Sequence, residues 1–184
     1  MINKKLFFEE YRKHLDKTLS QKEVDAIDKF LDMTNSSFGY FKVVEWAYIF
    51  ATVYHETAQT FLPVIEAFWK SEDWRRRNLT RYFPYYGRGF VQLTWLYNYR
   101  KFTKILGIPL DKKPELACDV DIAFGILMHG CKEGIFTGKA IEDYVIDGKP
   151  NFIQMRRVIN GNDKAELISD YAKEFQRILN ICTK

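Results

Sequence analysis

The stretch "VVEWAYIFATVYHETA", residues 43–58, shapes the predicted architecture of this chain because it is apolar almost all round. A helix with apolar residues on nearly every face belongs in the interior of a domain rather than on its surface. The preceding segment "NSSFGYF", at 35–41, has the composition of a turn. The only acidic residues of the helix are Glu45 near its start and Glu56 near its end. We therefore predict a central buried helix that ends at a carboxyl group.

Helical periodicity recurs on both sides of this segment, whereas residues 61–91 lose it. There, prolines and glycines interrupt aromatic and charged residues, which predicts irregular loops and a small β-hairpin in a second lobe. The other predicted helices cover 4–16, 20–33 with a capping box from Ser20 and Glu23, 95–107 ending at Gly107, 113–134 with Pro114 near its start, about 139–146, 151–158, and 162–181. We predict a mainly α, two-lobed fold.

Length and composition favour one domain over residues 1–184, without a separate cell-wall-binding module. The net charge of +4 suits an anionic polymer or membrane surface but is too small to require nucleic acid. Three cysteines without a CxxC pair argue against a disulfide framework and favour reduced thiols. The first residues lack the apolar run of a secretory signal, which predicts a cytosolic chain that needs a separate release system to reach a substrate outside.

The histidines do not indicate a metal site. A zinc-protease helix requires the pattern HExxH, and the residue four positions after His55 is Gln59. The other two histidines, His14 and His129, are distant in sequence and isolated. We predict no metal and no cofactor.

Glu56 has two alternative interpretations. In the last turn of an apolar helix, the helix dipole and desolvation both disfavour a charged carboxylate, which favours a carboxyl that keeps its proton. Such a group suits the general acid of glycosidic cleavage, and Glu66 would then be the ionised partner that activates water. Alternatively, Glu56 is a frayed helix-end residue and Glu66 a solvated loop residue.

The segment "YFPYYGRGFVQLTWLYNY", residues 82–99, combines aromatic rings with the polar side chains of Arg88, Gln92, Thr94 and Asn98. Aromatic faces stack on sugar rings and amide groups bind sugar hydroxyls, so the segment is typical of a saccharide groove. The alternative is an aromatic loop that fills space between two lobes.

In order and spacing, "YHET" (54–57), "YYGRGFVQLTWLYNY" (85–99) and "INGNDKAELISDYAKEF" (159–175) resemble glycoside hydrolase family 19, the plant-type chitinases and related phage endolysins. The resemblance implies that Glu56 is the general acid, Glu66 the general base with Glu72 as the alternative, and that Thr94 helps to hold the attacking water. It also implies a set of substrate-binding residues, namely His55, Gln92, Tyr97, Asn98 and Asn160. Asn162 stands where the family has a second glycine after "ING", which puts the contribution of the 160–164 turn to binding in question.

The resemblance further implies a lysozyme-like fold of the α+β superfamily, with a cleft between the lobes. Family members invert the anomeric carbon, so the two carboxyl groups are expected roughly 6.5–9.5 Å apart. Without a signal peptide or paired cysteines, the chain is more like an endolysin of a phage or prophage of a Gram-negative host than a plant chitinase.

We therefore predict a monomeric N-acetylmuramidase-type endolysin that cleaves the glycan strands of peptidoglycan and binds no nucleic acid. The basic segment "KSEDWRRRNLTR", residues 70–81, predicts weak contact with anionic outer-membrane components, with a solvated loop as the alternative. The alternative functions are a chitinase acting on N-acetylglucosamine polymers, a lytic transglycosylase, and a glycan-binding protein without activity.

Overall fold

The computed structural model describes residues 1–15 and 18–183. Within these residues the chain forms α1 (Lys4–Leu15), α2 (Gln21–Ser36), α3 (Val43–Glu56), α4 (Glu72–Asn78), α5 (Leu96–Leu106), α6 (Val120–Glu133), α7 (Phe152–Met155) and α8 (Ala165–Cys182). Short 3-10 helices cover Phe38–Tyr40, Pro114–Cys118, Ile141–Tyr144 and Arg156–Val158. The strands are β1 (Val64–Ile65), β2 (Arg88–Gly89), β3 (Val145–Ile146) and β4 (Lys149–Pro150). The prediction of a mainly α chain is confirmed.

The chain divides into two compact units. Unit 1 combines Met1–Phe61 with the residues from Cys131 onward, and unit 2 is the continuous segment Leu62–Gly130. Unit 1 therefore contains α1, α2, α3, α7 and α8, whereas unit 2 contains α4, α5 and most of α6.

The core of unit 1 is built around α3. Residues from Trp46 to Val53 have no exposed surface, and α8 packs along this helix while α1 and α7 pack against α8. The ring of Phe50 lies 5.0 Å from that of Phe30 on α2 and 5.6 Å from that of Phe175 on α8, between centroids. The predicted central buried helix is confirmed, because its all-round apolar surface meets neighbours on several sides.

Unit 2 begins with an antiparallel pairing of β1 and β2, in the register Val64 with Gly89 and Ile65 with Arg88. Gly89 adopts a φ of +86°, and a Cβ at this position would lie 2.8 Å from the carbonyl oxygen of Ala117. Only glycine adopts this positive φ readily and also avoids the clash with the Ala117 carbonyl. The predicted small hairpin is thus a pair of two-residue strands that are far apart in sequence.

One helix within 61–91 was missed by the sequence prediction. The side chain of Ser71 caps α4 by accepting a hydrogen bond from the backbone N–H of Trp74 at 3.2 Å. Glu72 and Asp73 occupy its first turn and Arg75, Arg76 and Arg77 its last, as the helix dipole favours. Capping and charge order make a helix here without an apolar stripe, and so without the periodicity on which the prediction relied.

The predicted helix over 113–134 is interrupted at Asp119. Its backbone is extended, and its side chain accepts hydrogen bonds from the N–H groups of Asp121 and Ile122. Asp119 therefore ends the 3-10 helix and caps the beginning of α6. The predicted helix over 139–146 is a 3-10 helix at Ile141–Tyr144 and is wrong at its last two residues, which form β3. This strand pairs with β4 in a hairpin closed by Asp147 and Gly148, both with positive φ.

Other predicted boundaries are confirmed. Ser20 and Glu23 form the expected capping box of α2, and Gly107 ends α5 in the left-handed conformation. The 151–158 segment is a short α-helix followed by a 3-10 turn. The last residue of the predicted 4–16 helix, Asp16, lies outside the described residues. Among the residues that are described, no helix has the length and apolar character needed to cross a membrane.

Candidate functional site

Glu56 is the last residue of α3, and the residue after it fixes where the helix ends. Thr57 is fully buried, and its hydroxyl donates to the carbonyl of Val53 at 2.7 Å and accepts from the N–H of Phe61 at 3.0 Å. Beyond it, Ala58 and Gln59 turn away with positive φ. The threonine of "HET" thus holds the sharp turn that leaves the Glu56 carboxyl at a helix end.

The carboxyl group of Glu56 forms an ion pair with Arg156. Their Oε1 and Nη1 atoms lie 2.7 Å apart, and the side chains are 16% and 2% exposed, respectively. Arg156 also donates through Nε to the carbonyl of Asp163 at 2.8 Å, within the 160–164 turn. The turn that follows "IN" therefore orients the arginine despite the asparagine at position 162. The sequence prediction did not include Arg156.

Arg156 changes the electrostatics expected at the end of α3. Its guanidinium places a positive charge in direct contact with the carboxyl group, at the helix end where the macrodipole is negative. The neighbouring His55 is half-buried, and its pKa lies below the usual value because burial outweighs the opposing attraction of Glu56. His55 is therefore neutral at neutral pH and offers both a hydrogen-bond donor and an acceptor.

Glu66 lies directly after β1 and is held at both carboxylate oxygens. The hydroxyl of Tyr82 donates to Oε1 at 2.8 Å, and the backbone N–H of Gly87 donates to Oε2 at 2.9 Å. The N–H of Glu66 in turn donates to the carbonyl of Gly87 at 2.8 Å. These contacts give the carboxylate a defined position, which a solvated loop residue would lack.

Glu72 has different surroundings at the start of α4. Its carboxylate accepts hydrogen bonds from Tyr86 at 2.8 Å and Arg75 at 3.2 Å, and its side chain is 51% exposed. Partial burial raises the pKa of Glu72, but the hydrogen bonds from Tyr86 and Arg75 outweigh it and bring the pKa below the usual value. Glu72 is therefore engaged in an ion pair on the surface of α4.

Gln92, Thr94 and Asn98 form a connected series in unit 2. The Gln92 amide donates to the carbonyl of Val64 at 3.1 Å, so the residue links this loop to β1. Thr94 donates to the carbonyl of Gln92 at 2.7 Å, and Asn98 donates to the carbonyl of Thr94 at 2.9 Å. Gly87 leaves room for the Gln92 amide, because a Cβ there would lie 2.5 Å from its Oε1 and the side chain would have to shift.

The predicted site residues fall into two groups, one in each unit. Unit 1 contains Glu56, His55 and the exposed Asn160, while unit 2 contains Glu66, Gln92, Thr94, Asn98 and Tyr97. The ring of Tyr97 is 66% exposed. The predicted cleft and the predicted separation of the two carboxyl groups stay predictions.

The interpretation of Arg88 as a groove residue is wrong. Its side chain is buried, with 4% of the residue exposed, and its Nη1 donates to the carbonyls of Pro84 and Tyr86. Its guanidinium carbon lies 3.7 Å from the centroid of the Tyr86 ring. Tyr99 completes the network, and burial raises its pKa to about 12. Part of the "YYGRG" motif therefore stabilises unit 2 from within.

Within the described part of the chain, no three His, Cys, Asp or Glu side chains are grouped so that they could hold a metal ion. His14 instead contacts two carboxylates, those of Glu10 and Glu174.

Comparisons with known proteins show similarity between this chain and chitinases. An endochitinase of Arabidopsis thaliana is 56% identical over 80 residues, which are 43% of this chain and 25% of that protein. Among solved structures, chitinase C from Streptomyces griseus has a TM-score of 0.63 at 22% identity, covering 97% of this chain and 76% of that one. A glutamate-to-glutamine mutant of chitinase C has a TM-score of 0.61 at 21% identity, over 97% and 92%. No family model matches the chain.

These likenesses confirm the predicted fold class. The chain has a mainly α, lysozyme-like fold, which it shares with chitinase C over 97% of its residues. The sequence match is limited to a segment that spans a quarter of the plant endochitinase.

Proposed function

We propose that this chain is a glycoside hydrolase of family 19 that cleaves polymers of N-acetylated sugars. The observation that carries the proposal is that the two carboxyl groups named by the resemblance are each held by hydrogen bonds within their own unit. Glu56 is held by Arg156 at the end of a buried helix, and Glu66 is held by Tyr82 and Gly87. The likeness in fold to chitinase C and the segment shared with a plant endochitinase support it.

In the proposed mechanism, Glu56 protonates the glycosidic oxygen while Glu66 accepts a proton from water that attacks the anomeric carbon. Thr94 helps to hold this water. When Glu56 gives up its proton, the guanidinium of Arg156 is already in place to stabilise the carboxylate that forms. Inversion at the anomeric carbon requires room for the water between the two carboxyl groups.

The proposed substrate is the glycan strand of bacterial peptidoglycan, and the proposed role is that of an N-acetylmuramidase-type endolysin. In this proposal the protein accumulates in the cytoplasm of the host bacterium and reaches the periplasm through a separate release system. Contact with anionic outer-membrane components through residues 70–81 is part of the same proposal. Within this segment Arg75 binds Glu72 and the carbonyls of Ala67 and Lys70, so Arg76 and Arg77 are the better candidates for such contact.

Digestion of purified peptidoglycan, followed by mass spectrometry of the released fragments, tests this function. Hydrated muramic-acid reducing ends are expected. Anhydro ends would replace the proposal with a lytic transglycosylase. Release from chitin oligomers alone would favour the second candidate, a chitinase, which the two chitinase relatives support. Absence of release from both polymers would leave a glycan-binding protein.

Substitution of Glu66 distinguishes a hydrolase from a transglycosylase, since only the hydrolase needs a base to activate water. Glu66→Gln is expected to lower the turnover number at least about 100-fold on the substrate that is cleaved. Glu72→Gln is the matched control within the same unit, and it is expected to retain most activity because Glu72 lies in a surface ion pair. The opposite ranking of the two variants would assign the base to Glu72, and full activity in both would reject the two-carboxylate mechanism.

Tyr82→Phe is expected to lower kcat/KM about tenfold, because a hydrogen bond to a carboxylate is worth about 1.5 kcal/mol. Loss of this donor leaves Oε1 of Glu66 without its side-chain hydrogen bond, so the carboxylate is held less firmly in the position proposed for the base. The phenylalanine ring preserves the edge contact with Trp95, whose centroid lies 5.1 Å from that of Tyr82. Tyr85→Phe, which removes a hydroxyl bonded to the carbonyl of Asp111, is the control. An unchanged kcat/KM in Tyr82→Phe would show that this hydroxyl does not position the base.

A further inference from the structure

The net positive charge of the protein comes from one of its two units. Segment 62–130 has 11 Lys and Arg against 7 Asp and Glu, whereas the rest of the chain has 17 of each. The whole excess of +4 therefore lies in the unit that carries Glu66 and Thr94. A charge concentrated in this way raises the local concentration of anions more than a dispersed charge does.

Several cations of unit 2 are already committed to contacts within the protein. Arg88 is buried among carbonyl groups, and Arg75 pairs with Glu72. Arg100, Lys101 and Lys104 follow Tyr97 on one side of α5, at the three- and four-residue spacing that brings side chains together. Their side chains lie on one surface of the helix, where Arg100 and Lys104 are exposed.

This surface borders a cavity of about 390 Å³ in unit 2. Its lining consists of Tyr97, Arg100, Lys101, Thr103, Lys104 and Asp111. The one anion of this lining, Asp111, accepts a hydrogen bond from the Thr103 hydroxyl at 3.2 Å. With three cations and one carboxylate, the lining favours a ligand that carries negative charge.

Tyr97 connects the cavity with the proposed sugar-binding residues. Its exposed ring has the Lys101 ammonium 4.4 Å from its centroid, and its neighbour Asn98 belongs to the Thr94 series. A sugar ring stacked on Tyr97 would therefore have its substituents within reach of the cations of α5. A neutral N-acetylglucosamine polymer offers these cations no charged partner, whereas the peptides attached to the lactyl groups of peptidoglycan carry carboxylates.

We propose that this face of α5, formed by Tyr97, Arg100, Lys101 and Lys104, binds carboxylates carried by an anionic glycan and so selects peptidoglycan over chitin. The inference rests on the proposed glycan hydrolase and specifies the substrate of the same site. It concerns the strength of binding and leaves the chemistry of Glu56 and Glu66 unchanged.

The test uses the double variant Arg100→Gln with Lys104→Gln, which keeps Lys101 beside Tyr97. Its control is Lys5→Gln with Lys139→Gln, two exposed lysines of unit 1 whose loss changes the net charge equally. For each protein, kcat/KM is measured on purified peptidoglycan and on a chitin hexamer, and binding is measured by co-sedimentation with insoluble peptidoglycan. Peptidoglycan whose carboxylates have been amidated is measured beside the native polymer.

We expect the double variant to lower the ratio of kcat/KM on peptidoglycan to kcat/KM on chitin about tenfold, as two lost charge contacts imply. The control should leave this ratio unchanged. Raising the ionic strength from about 0.01 M to about 1 M shortens the screening length from about 30 Å to about 3 Å. It should therefore weaken binding of the wild type to native peptidoglycan, but not to the amidated polymer.

An unchanged ratio, or equal binding to native and amidated peptidoglycan, would overturn the inference. So would a dependence on Arg100 and Lys104 for binding to anionic phospholipid vesicles but not to peptidoglycan, because the surface would then serve a membrane. If the wild type binds native peptidoglycan through these cations but cleaves neither polymer, the inference stands and the proposed hydrolase fails.

Discussion

Glu56→Gln should lower hydrolysis about 10³-fold or more while the protein stays folded. The variant removes the proton that the leaving sugar oxygen must receive, and general acid catalysis contributes about 10²- to 10⁴-fold. Because the glutamine oxygen can still accept the hydrogen bond from Arg156, the end of α3 keeps its contact. Release of reducing ends measures activity, and thermal unfolding of the same sample measures the fold.

Glu9→Gln provides the matched control, because Glu9 is an exposed glutamate on α1. This variant is expected to hydrolyse at the wild-type rate. Wild-type rates in Glu56→Gln, with unchanged stability, would reject Glu56 as the general acid.

Arg156→Met should lower the free energy of unfolding by about 3 kcal/mol, because it leaves the partly buried Glu56 carboxylate without its partner. The loss includes the hydrogen bond to the carbonyl of Asp163, which ties the arginine to the 160–164 turn. Urea unfolding, followed by circular dichroism, provides the measurement. Addition of Glu56→Gln should recover part of the loss, since the uncompensated charge is then removed.

The adjacent Arg157 allows a close control. It is exposed, and its one described side-chain hydrogen bond reaches Asn162 at 3.4 Å. Arg157→Met is expected to change the unfolding free energy by less than about 0.5 kcal/mol. Equal losses in the two variants would mean that the ion pair with Glu56 does not stabilise unit 1.

The sequence predicts those elements of the fold whose signals are local. The apolar run from 43 to 56 predicts a buried helix. The capping box at Ser20 predicts where α2 begins, and the glycine at 107 predicts where α5 ends. The α4 helix was missed because it depends on capping and charge order, without an apolar face. The interruption at Asp119 was missed because a 3-10 turn followed by a capped helix has nearly the same apolar spacing as one continuous helix.

For the candidate site, the resemblance named Glu56 and Glu66 as candidate carboxyl groups but did not indicate the groups that hold them. Arg156 lies 100 residues after Glu56, beside an arginine that is exposed, and no local pattern distinguishes the two. Arg88 was wrongly placed in the groove because composition cannot show that Tyr86 and Tyr99 enclose it. Tyr82 belongs to the aromatic segment 82–99, but only the three-dimensional structure shows that its hydroxyl donates a hydrogen bond to Glu66.

The division of unit 1 between the two ends of the chain affects the order in which the protein can assemble during synthesis. Residues 62–130 are continuous, so their contacts can form as soon as this segment has left the ribosome. In contrast, α3 cannot pack against α8 until α8, which begins at Ala165, has been synthesised. Pairing across such a separation is slow because a long loop must close first. Glu56 therefore acquires its guanidinium partner only after a further 100 residues have been synthesised, and until then a nascent chain carries the candidate acid without the environment that positions it.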